Sequence, residues 1–442
     1  MKHVFRMPGL SGMRPFLILW STQALSALGS SMTSFALIVW SYQQQGSALT
    51  TSLLSVCSYA PYVLMSLFAG ALSDRLDKKR TMLVCDSLAA VSTLCVYGLL
   101  AAGRLEVWHL YLLNALNGLM NTVQQPASDV AVSLLAPREQ YQRVSGLQSF
   151  SNSLVTILTP AAATAVLAFG GMGAVILLDL STFVVAFTGL AFFIRIPPVP
   201  RKAEVSGTSM WRDSLGGLRY LRQNRGVLDL ILFLAAINLT ASLYNAALPA
   251  MLLSRKGGGQ TALGLVNTCT GFAALAGSVI ASLAPPPKSR VRVICNTLLL
   301  SMGIENVLLA FGRTRFVWCL GGVLGWLLIP VMNTNLNALL RSRIPLDMQG
   351  RVFSARNTLQ FFTIPVGYLL GGVLVDRVFE PLMAAQKAGS PLLFLFGEGK
   401  GSGAAALFLL LAVMGEATCL LFRRDRHIRA LEDAPPNGGS AP

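Results

Sequence analysis

The chain has 442 residues, of which 53% are hydrophobic and only 12% charged, with a mean hydropathy of +0.59. A soluble domain carries about 25% charged residues, so this composition excludes an ordinary water-soluble globule. The net charge of +16 would suit a phosphate binder, but the bases sit in short connections beside apolar runs, where topology signals are placed; nucleic acid is not an expected partner.

Uncharged runs of 18 residues or more recur along the whole chain, the pattern of membrane-spanning helices. Divided at charges and Gly/Pro signals, they fall at 15–41, 50–73, 81–102, 107–135, 144–170, 172–194, 227–253, 261–284, 291–311, 316–340, 352–376 and 403–422. The expected fold class is an all-α integral membrane protein of twelve transmembrane helices, with the lipid bilayer as its solvent. The basic opening MKHVFRMPGLSGMR resembles the start of a signal peptide. No further charge appears between Pro15 and Asp74, however, which is far beyond a signal core of about 7–15 residues. The first span is expected to be an uncleaved helix.

Charge sets the orientation. With both termini inside, 27 of the 35 Lys and Arg fall in inner connections and 8 in outer ones, which is the positive-inside asymmetry. The N and C termini are therefore expected in the cytoplasm, as is the loop GALSDRLDKKR, Gly70 to Arg80. The longest inner connection divides the chain into four parts. Residues 1–195 form one six-helix bundle, 196–225 a cytoplasmic linker, 226–422 a second six-helix bundle and 423–442 a cytoplasmic tail. Trp211, Leu215, Leu218 and Leu221 in the linker recur at helical spacing and predict an amphipathic helix on the membrane surface. The halves echo each other: Pro137 and Arg143-Val144 recur 208 residues later as Pro345 and Arg351-Val352. Internal similarity of this kind is expected of transporters built from repeats, with the substrate site between them.

Few polar groups lie inside the spans, and lipid-facing ones would be expensive. Asn114, Asn117, Asn121, Gln125 and Asp129 form one stripe down the fourth span. Thr22, Ser26, Ser30 and Thr33 form another on the first. The seventh span carries Asn238, Ser242 and Asn245, and the tenth carries Asn333 and Asn337 with Trp326 and Met332 nearby. Each stripe should face protein or water. Hydroxyls and amides also act as glue between packed helices, and for the serines that role competes strongly with cavity lining. An amide-rich, uncharged lining suits a large amphiphilic ligand held by hydrogen bonds and apolar contact.

Five acids fall within spans: Asp86, Asp129, Asp179, Glu305 and Glu416. Each costs roughly 2.5–3.5 kcal/mol near a helix centre, and intramembrane acids are the usual carriers in proton relays. Asp129, on the amide stripe, is the first proton-coupling candidate. Asp86 and Asp179 follow; they lie near helix ends, where water access or a structural hydrogen bond explains them equally well. The seven cysteines lie in apolar segments without paired spacing and read as small buried hydrophobes. His3, His109 and His427 fall at a terminus, a helix end and a tail, so no metal site or His relay is expected. The absence of GxSxG, HExxH and phosphate-loop motifs gives no reason to expect an enzyme or a cofactor.

The run Gly70-Ala-Leu72-Ser-Asp74-Arg75, followed by Lys78-Lys79-Arg80, resembles the GxLxDRxxRK loop of the major facilitator superfamily. Gln125-Pro126-Ala127, Leu134-Leu135-Ala136-Pro137, Asp179 and Leu221-Arg222-Gln223-Asn224 extend the resemblance. So do Gly350-Arg351-Val352-Phe353-Ser354, Pro365-Val366-Gly367 and Asp376-Arg377. It covers essentially all of residues 15–422, and more narrowly the chain resembles bacterial macrolide-efflux permeases and related siderophore exporters. The resemblance implies the major facilitator fold, with spans one, four, seven and ten lining a central cavity. It further implies a monomeric exporter in the inner (plasma) membrane of a bacterium, moving amphiphilic drugs such as macrolides in exchange for protons. A siderophore or a lipid-like metabolite is the alternative cargo, and an ATPase partner is left open. A non-transporting sensor or scaffold is the reading from another class, against which the polar stripes argue. The resemblance also makes Gly70, Asp74 and Arg75 a conformational switch, with Asp74 reaching Arg351 or Arg356 at the start of the eleventh span. Three departures stand out. Asp77 replaces the motif's glycine, the second-half loop reads Ala284-Pro-Pro-Pro-Lys288, and the family's coupling arginine in the fourth span is absent from Asn114-Ala-Leu-Asn117-Gly118.

Overall fold

A computed structural model describes residues 13–136, 140–197, 219–285, 287–344 and 349–433; within its helices the side chains at 66–75, 141–143, 145, 341, 349–351 and 353–354 are not described. Every regular element among the described residues is helical. The first are α1 (Arg14–Gln45), α2 (Ala48–Arg75), α3 (Lys78–Ala101), α4 (Val107–Leu135) and α5 (Tyr141–Thr188), which runs into a π-helical turn at Gly189–Phe193. After the linker come α6 (Arg225–Ser254), α7 (Gln260–Leu283), α8 (Arg290–Phe311), α9 (Arg315–Leu327), α10 (Ile329–Arg343), α11 (Gln349–Phe361) and α12 (Thr363–Val373). A second π-helical turn, Leu374–Phe379, leads to α13 (Glu380–Ala384), α14 (Pro391–Phe396), α15 (Ser402–Arg423) and α16 (Arg426–Asp433).

Ten helices among the described residues are long and apolar enough to cross a membrane. The 29-residue α4 is not among them, although at 1.5 Å per residue it is about 43 Å long. Its amide stripe, not its length, holds its hydropathy down. The 48 residues of α5 would span about 72 Å, against a hydrocarbon core of roughly 30 Å. The helix breaks at Gly171, whose φ of 67° and ψ of −170° are open to glycine and strained for other residues.

The chain divides into two compact units, residues 1–37 with 64–205 and residues 38–63 with 206–442. In the first, Phe16, Met82, Ala131, Leu135 and Ile194 bury one another at the helix ends nearest the basic connections. Two charged residues of the GALSDRLDKKR loop help to fix that end. Asp77 is the N-cap of α3, accepting from the Arg80 amide at 2.8 Å, so the motif's missing glycine has become a helix start. Lys79 reaches across and donates to the carbonyls of Ala191 and Ile194 at 2.8 and 2.7 Å.

In the second unit, Phe233, Ile294, Leu340, Val352 and Cys419 belong to one buried core. Glycines let its helices approach backbone to backbone, as membrane packing favours. Gly367 and Gly371 of α12 meet Ser242 and Ala246 of α6, while Gly321 and Gly322 of α9 meet α8 and α7. Part of what reads as a tail is the helix α16. His427 Nδ1 lies 2.9 Å from Asp229 Oδ2 on α6, and Ile428 is buried in the core. Of the expected linker helix, Trp211, Leu215 and Leu218 lie outside the described residues.

Candidate functional site

In the first unit the α4 stripe grades from half-buried to exposed along the helix. Asn114 and Asn117 are half-buried and Asn121, Gln125 and Asp129 exposed, while Ala127 and Ala131, away from the stripe, are buried, as are the small Gly118 and Thr122 beside it. The buried Asn117 Oδ1 has no hydrogen-bond partner. A column of amides one turn apart can hold a ligand's oxygens and nitrogens in succession while its apolar surface rests on the carbon skeleton between them.

Beside the stripe sits Asp86 of α3. Gln23 of α1 donates to one of its carboxylate oxygens at 3.2 Å, and Gln124 of α4 donates to the other. One acid thus ties three helices together through neutral donors. Asp179, 4% exposed, accepts from Ser30 of α1 at 3.0 Å, and Gly29 brings the α1 backbone against it. Asp129 differs: it is exposed, and its side chain meets Gln125 of its own helix at 3.4 Å. Ser26 is half-buried and Ser30 exposed. Sequence reasoning singled out the three acids but not Gln23 and Gln124. The usable signal was the demand of a carboxylate within a span for donors, which long neutral amides meet.

In the second unit the expected lining residues part company. Asn245 is exposed and lines a cavity of about 160 Å³ with Thr51, Ser52, Ser55, Asn267 and Tyr368. Tyr368 stacks on Tyr59 with ring centroids 6.1 Å apart. Asn333 and Asn337 of α10 are exposed, and Trp326 of α9 is half-buried. Asn238 donates to the Gln360 carbonyl at 3.4 Å. Ser242 is 4% exposed and packs on Gly367. Sequence reasoning gave Glu305 little weight. The structure buries it at 7% exposure, with the Tyr244 hydroxyl donating at 2.6 Å and Gly325 of α9 against its carboxyl.

At one end of this unit Arg255, Lys256, Arg313 and Glu398 line a cavity of about 450 Å³. Burial, helped by the Arg313 guanidinium, pushes the Arg255 pKa down. Of the expected switch, Arg356 is half-buried and donates from Nε to Gln360 Oε1 at 3.0 Å. Gly70, Asp74 and Arg75 fall in the last turns of α2 and Arg351 in the first turn of α11, where side chains lie outside the described residues.

The family model of the Major Facilitator Superfamily matches residues 19–368, both units and the amide stripe included. The chain belongs to the major facilitator superfamily. Among superfamily members, macrolide efflux protein A of Streptococcus pyogenes is 25% identical over 366 residues, covering 82% of this chain and 90% of that protein. Multidrug efflux pump Tap of Mycobacterium bovis is 24% identical over 377 residues, covering 82% of this chain and 87% of the pump. The crystal structure of the POT family transporter PepTSo superimposes with a TM-score of 0.66 at 12% identity, over 95% of this chain and 99% of that one, a likeness of fold. The chain is thus a multi-pass membrane transporter of the superfamily, with efflux pumps among its relatives.

Proposed function

We propose that the protein is a secondary active exporter of amphiphilic small molecules, macrolide-like antibiotics foremost, driven by proton antiport in the inner membrane of a bacterium. With α5 counted as two crossings and α4 as one, the ten apolar helices become twelve. They would form six-helix bundles at residues 1–195 and 226–422, with both termini cytoplasmic. Alternating access would come from rocking of these bundles, and the Asp74 switch would latch their inner ends.

The observation that carries this reading is the exposed amide stripe of α4 beside Asp86, an acid met by neutral amides from two other helices. The stripe supplies a lining for an uncharged or weakly charged cargo, and the acid supplies a group that can take and release a proton. Asp86 is the proposed coupling acid because a change in its proton load would be felt at once by α1 and by the cargo-facing α4; Asp129 and Asp179 stand behind it. The macrolide and multidrug names of two relatives support the cargo class.

The test is accumulation of a macrolide, a dye and a siderophore in cells stripped of their own pumps. The wild type should lower macrolide accumulation, and Asp86→Asn should abolish the part that depends on the proton gradient. Unchanged accumulation of all three compounds would remove the exporter reading. Export that persists after the gradient is collapsed would remove antiport.

A further inference from the structure

At the end of the second unit remote from the basic connections, one carboxylate holds the start of α2. Asp376, in the π-helical turn after α12, accepts from the Ser47 hydroxyl at 2.5 Å, from the Ala48 amide at 3.0 Å and from the Leu49 amide at 2.9 Å. These amides are free at a helix start and carry the positive end of the helix dipole. Bonds to an ionised acceptor are also roughly twice as strong as neutral ones.

The packing around the contact is tight. A Cβ added at Gly372, one turn earlier, would lie 2.6 Å from the Leu49 Cα. Lys400 adds a second hold, its ammonium 5.8 Å from the Tyr42 ring at the tip of α1. A cavity of about 620 Å³ lined by Gly46, Ser47, Asp376, Glu380 and Lys400 opens beside the contact, so water can reach the amides if the carboxylate leaves.

The covalent connectivity gives this contact its meaning. Residues 38–63, the tip of the α1–α2 hairpin, are continuous with helices that begin or end in the first unit, yet they pack as part of the second. A carboxylate on the eleventh crossing therefore grips a hairpin that belongs by sequence to the other bundle. We infer that Asp376 is the outer latch of the transport cycle, the positioning residue whose cap on α2 must break before this end can open. The inference rests on the alternating-access reading above. It gives Asp376, which the sequence marks only as part of the resemblance, a partner at the opposite end of α2 from the Asp74 switch.

Glu380, one turn further along the same crossing, supplies an internal control. It caps α15 by accepting from the Gly401 and Ala404 amides at 2.9 and 3.2 Å. The chemistry is the same, but its partner lies within the same bundle, so losing this cap should weaken the fold without freeing the hairpin.

The experiment measures distances between spin labels at Gln44→Cys and Lys387→Cys, both exposed, in the purified full-length chain with its seven native cysteines replaced. Asp376→Asn should raise the ratio of separated to closed populations by about tenfold, the order expected when a charge-assisted cap is lost. Ser47→Ala, which removes only the hydroxyl, should shift it in the same direction by less and serves if the Asp376 variant does not fold. Glu380→Gln should lower the melting temperature and leave the distances alone. An unchanged distribution in both the Asp376 and Ser47 variants, or an equal shift in Glu380→Gln, would overturn the latch. The measurement needs no cargo. A wild type that exports nothing while the distances respond as expected therefore sinks the exporter reading and leaves the latch standing.

Discussion

Gln124 of α4 donates its side-chain amide to the Asp86 carboxylate of α3, and Gln23 of α1 donates to the other oxygen of the same group. Interhelical hydrogen bonds within membranes average about 0.6 kcal/mol and reach about 1.7. Gln124→Ala should therefore lower stability by ~0.5–2 kcal/mol, read as a fall in the thermal midpoint of the purified protein. Asp86→Asn keeps the size and one acceptor oxygen: the glutamine facing that oxygen still donates, and the other can turn over and accept from the new NH2. It should change the midpoint little while reducing gradient-driven export by about a hundredfold or more, in effect abolishing it, as expected when a general acid–base group is lost. An Asp86→Asn variant that melts early but exports normally would make the acid structural.

The Tyr244–Glu305 pair gives the opposite expectation. Glu305 is buried among α6, α8 and α9, with the tyrosine hydroxyl 2.6 Å away and the Gly325 backbone closing one side. Removing a donor from a buried acceptor costs about 1–3 kcal/mol, so Tyr244→Phe should lower the thermal midpoint clearly. Glu305→Gln, of equal size and still able to accept, should cost less. Export per folded molecule should stay near wild type in both. A loss of export at an unchanged midpoint would move this pair from scaffold to mechanism.

These contrasts show what a linear sequence can and cannot carry. Hydropathy works over windows the length of a helix, so α1, α3, α7 and α15 are visible as apolar runs with ends displaced by no more than about a turn. Helical spacing also marks which residues share a face, and the exposed column Asn121, Gln125, Asp129 follows from it. Spacing does not say how a face is turned toward its neighbours. Gln23 and Asp86 are 63 residues apart, and nothing local pairs them. Ser242 shares its stripe with Asn245, yet one is buried against Gly367 and the other lines a cavity. The distinction is made by a glycine on another helix. The π-helical turn that presents Asp376 likewise has no periodic signature.

The Ser242–Gly367 contact is itself testable. A Cβ added at Gly367 would lie 2.5 Å from the Ser242 Cβ, and overpacking of this kind typically costs about 1–3 kcal/mol. Gly367→Ala should lower the thermal midpoint accordingly, and adding Ser242→Gly should recover part of the loss, a coupling that a double-mutant cycle measures. Ser242→Ala alone should leave export unchanged, whereas Asn245→Ala should alter the cargo profile. Equal effects of the two single changes on export would return Ser242 to the cavity wall.

The charged loop offers the last contrast. If its bases acted only as orientation signals, Lys79 and Arg80 would be interchangeable, since each contributes one positive charge to the same connection. Their surroundings differ: Lys79 donates to the Ala191 and Ile194 carbonyls where the crossing before the linker ends, and a cation at a helix C-terminus adds a favourable dipole interaction. Arg80 is exposed and contributes its backbone amide to the Asp77 cap. Lys79→Met should cost ~0.5–1.5 kcal/mol and Asp77→Ala about 1 kcal/mol, while Arg80→Ala should stay within about 0.5 kcal/mol of wild type. Thermal melts of the three purified variants decide the matter, with labelling of the loop in inside-out vesicles confirming that each retains its orientation. Identical midpoints would reduce Lys79 to a topology signal; the expected order makes it the residue that pins α3 to the π-helical turn at the end of α5.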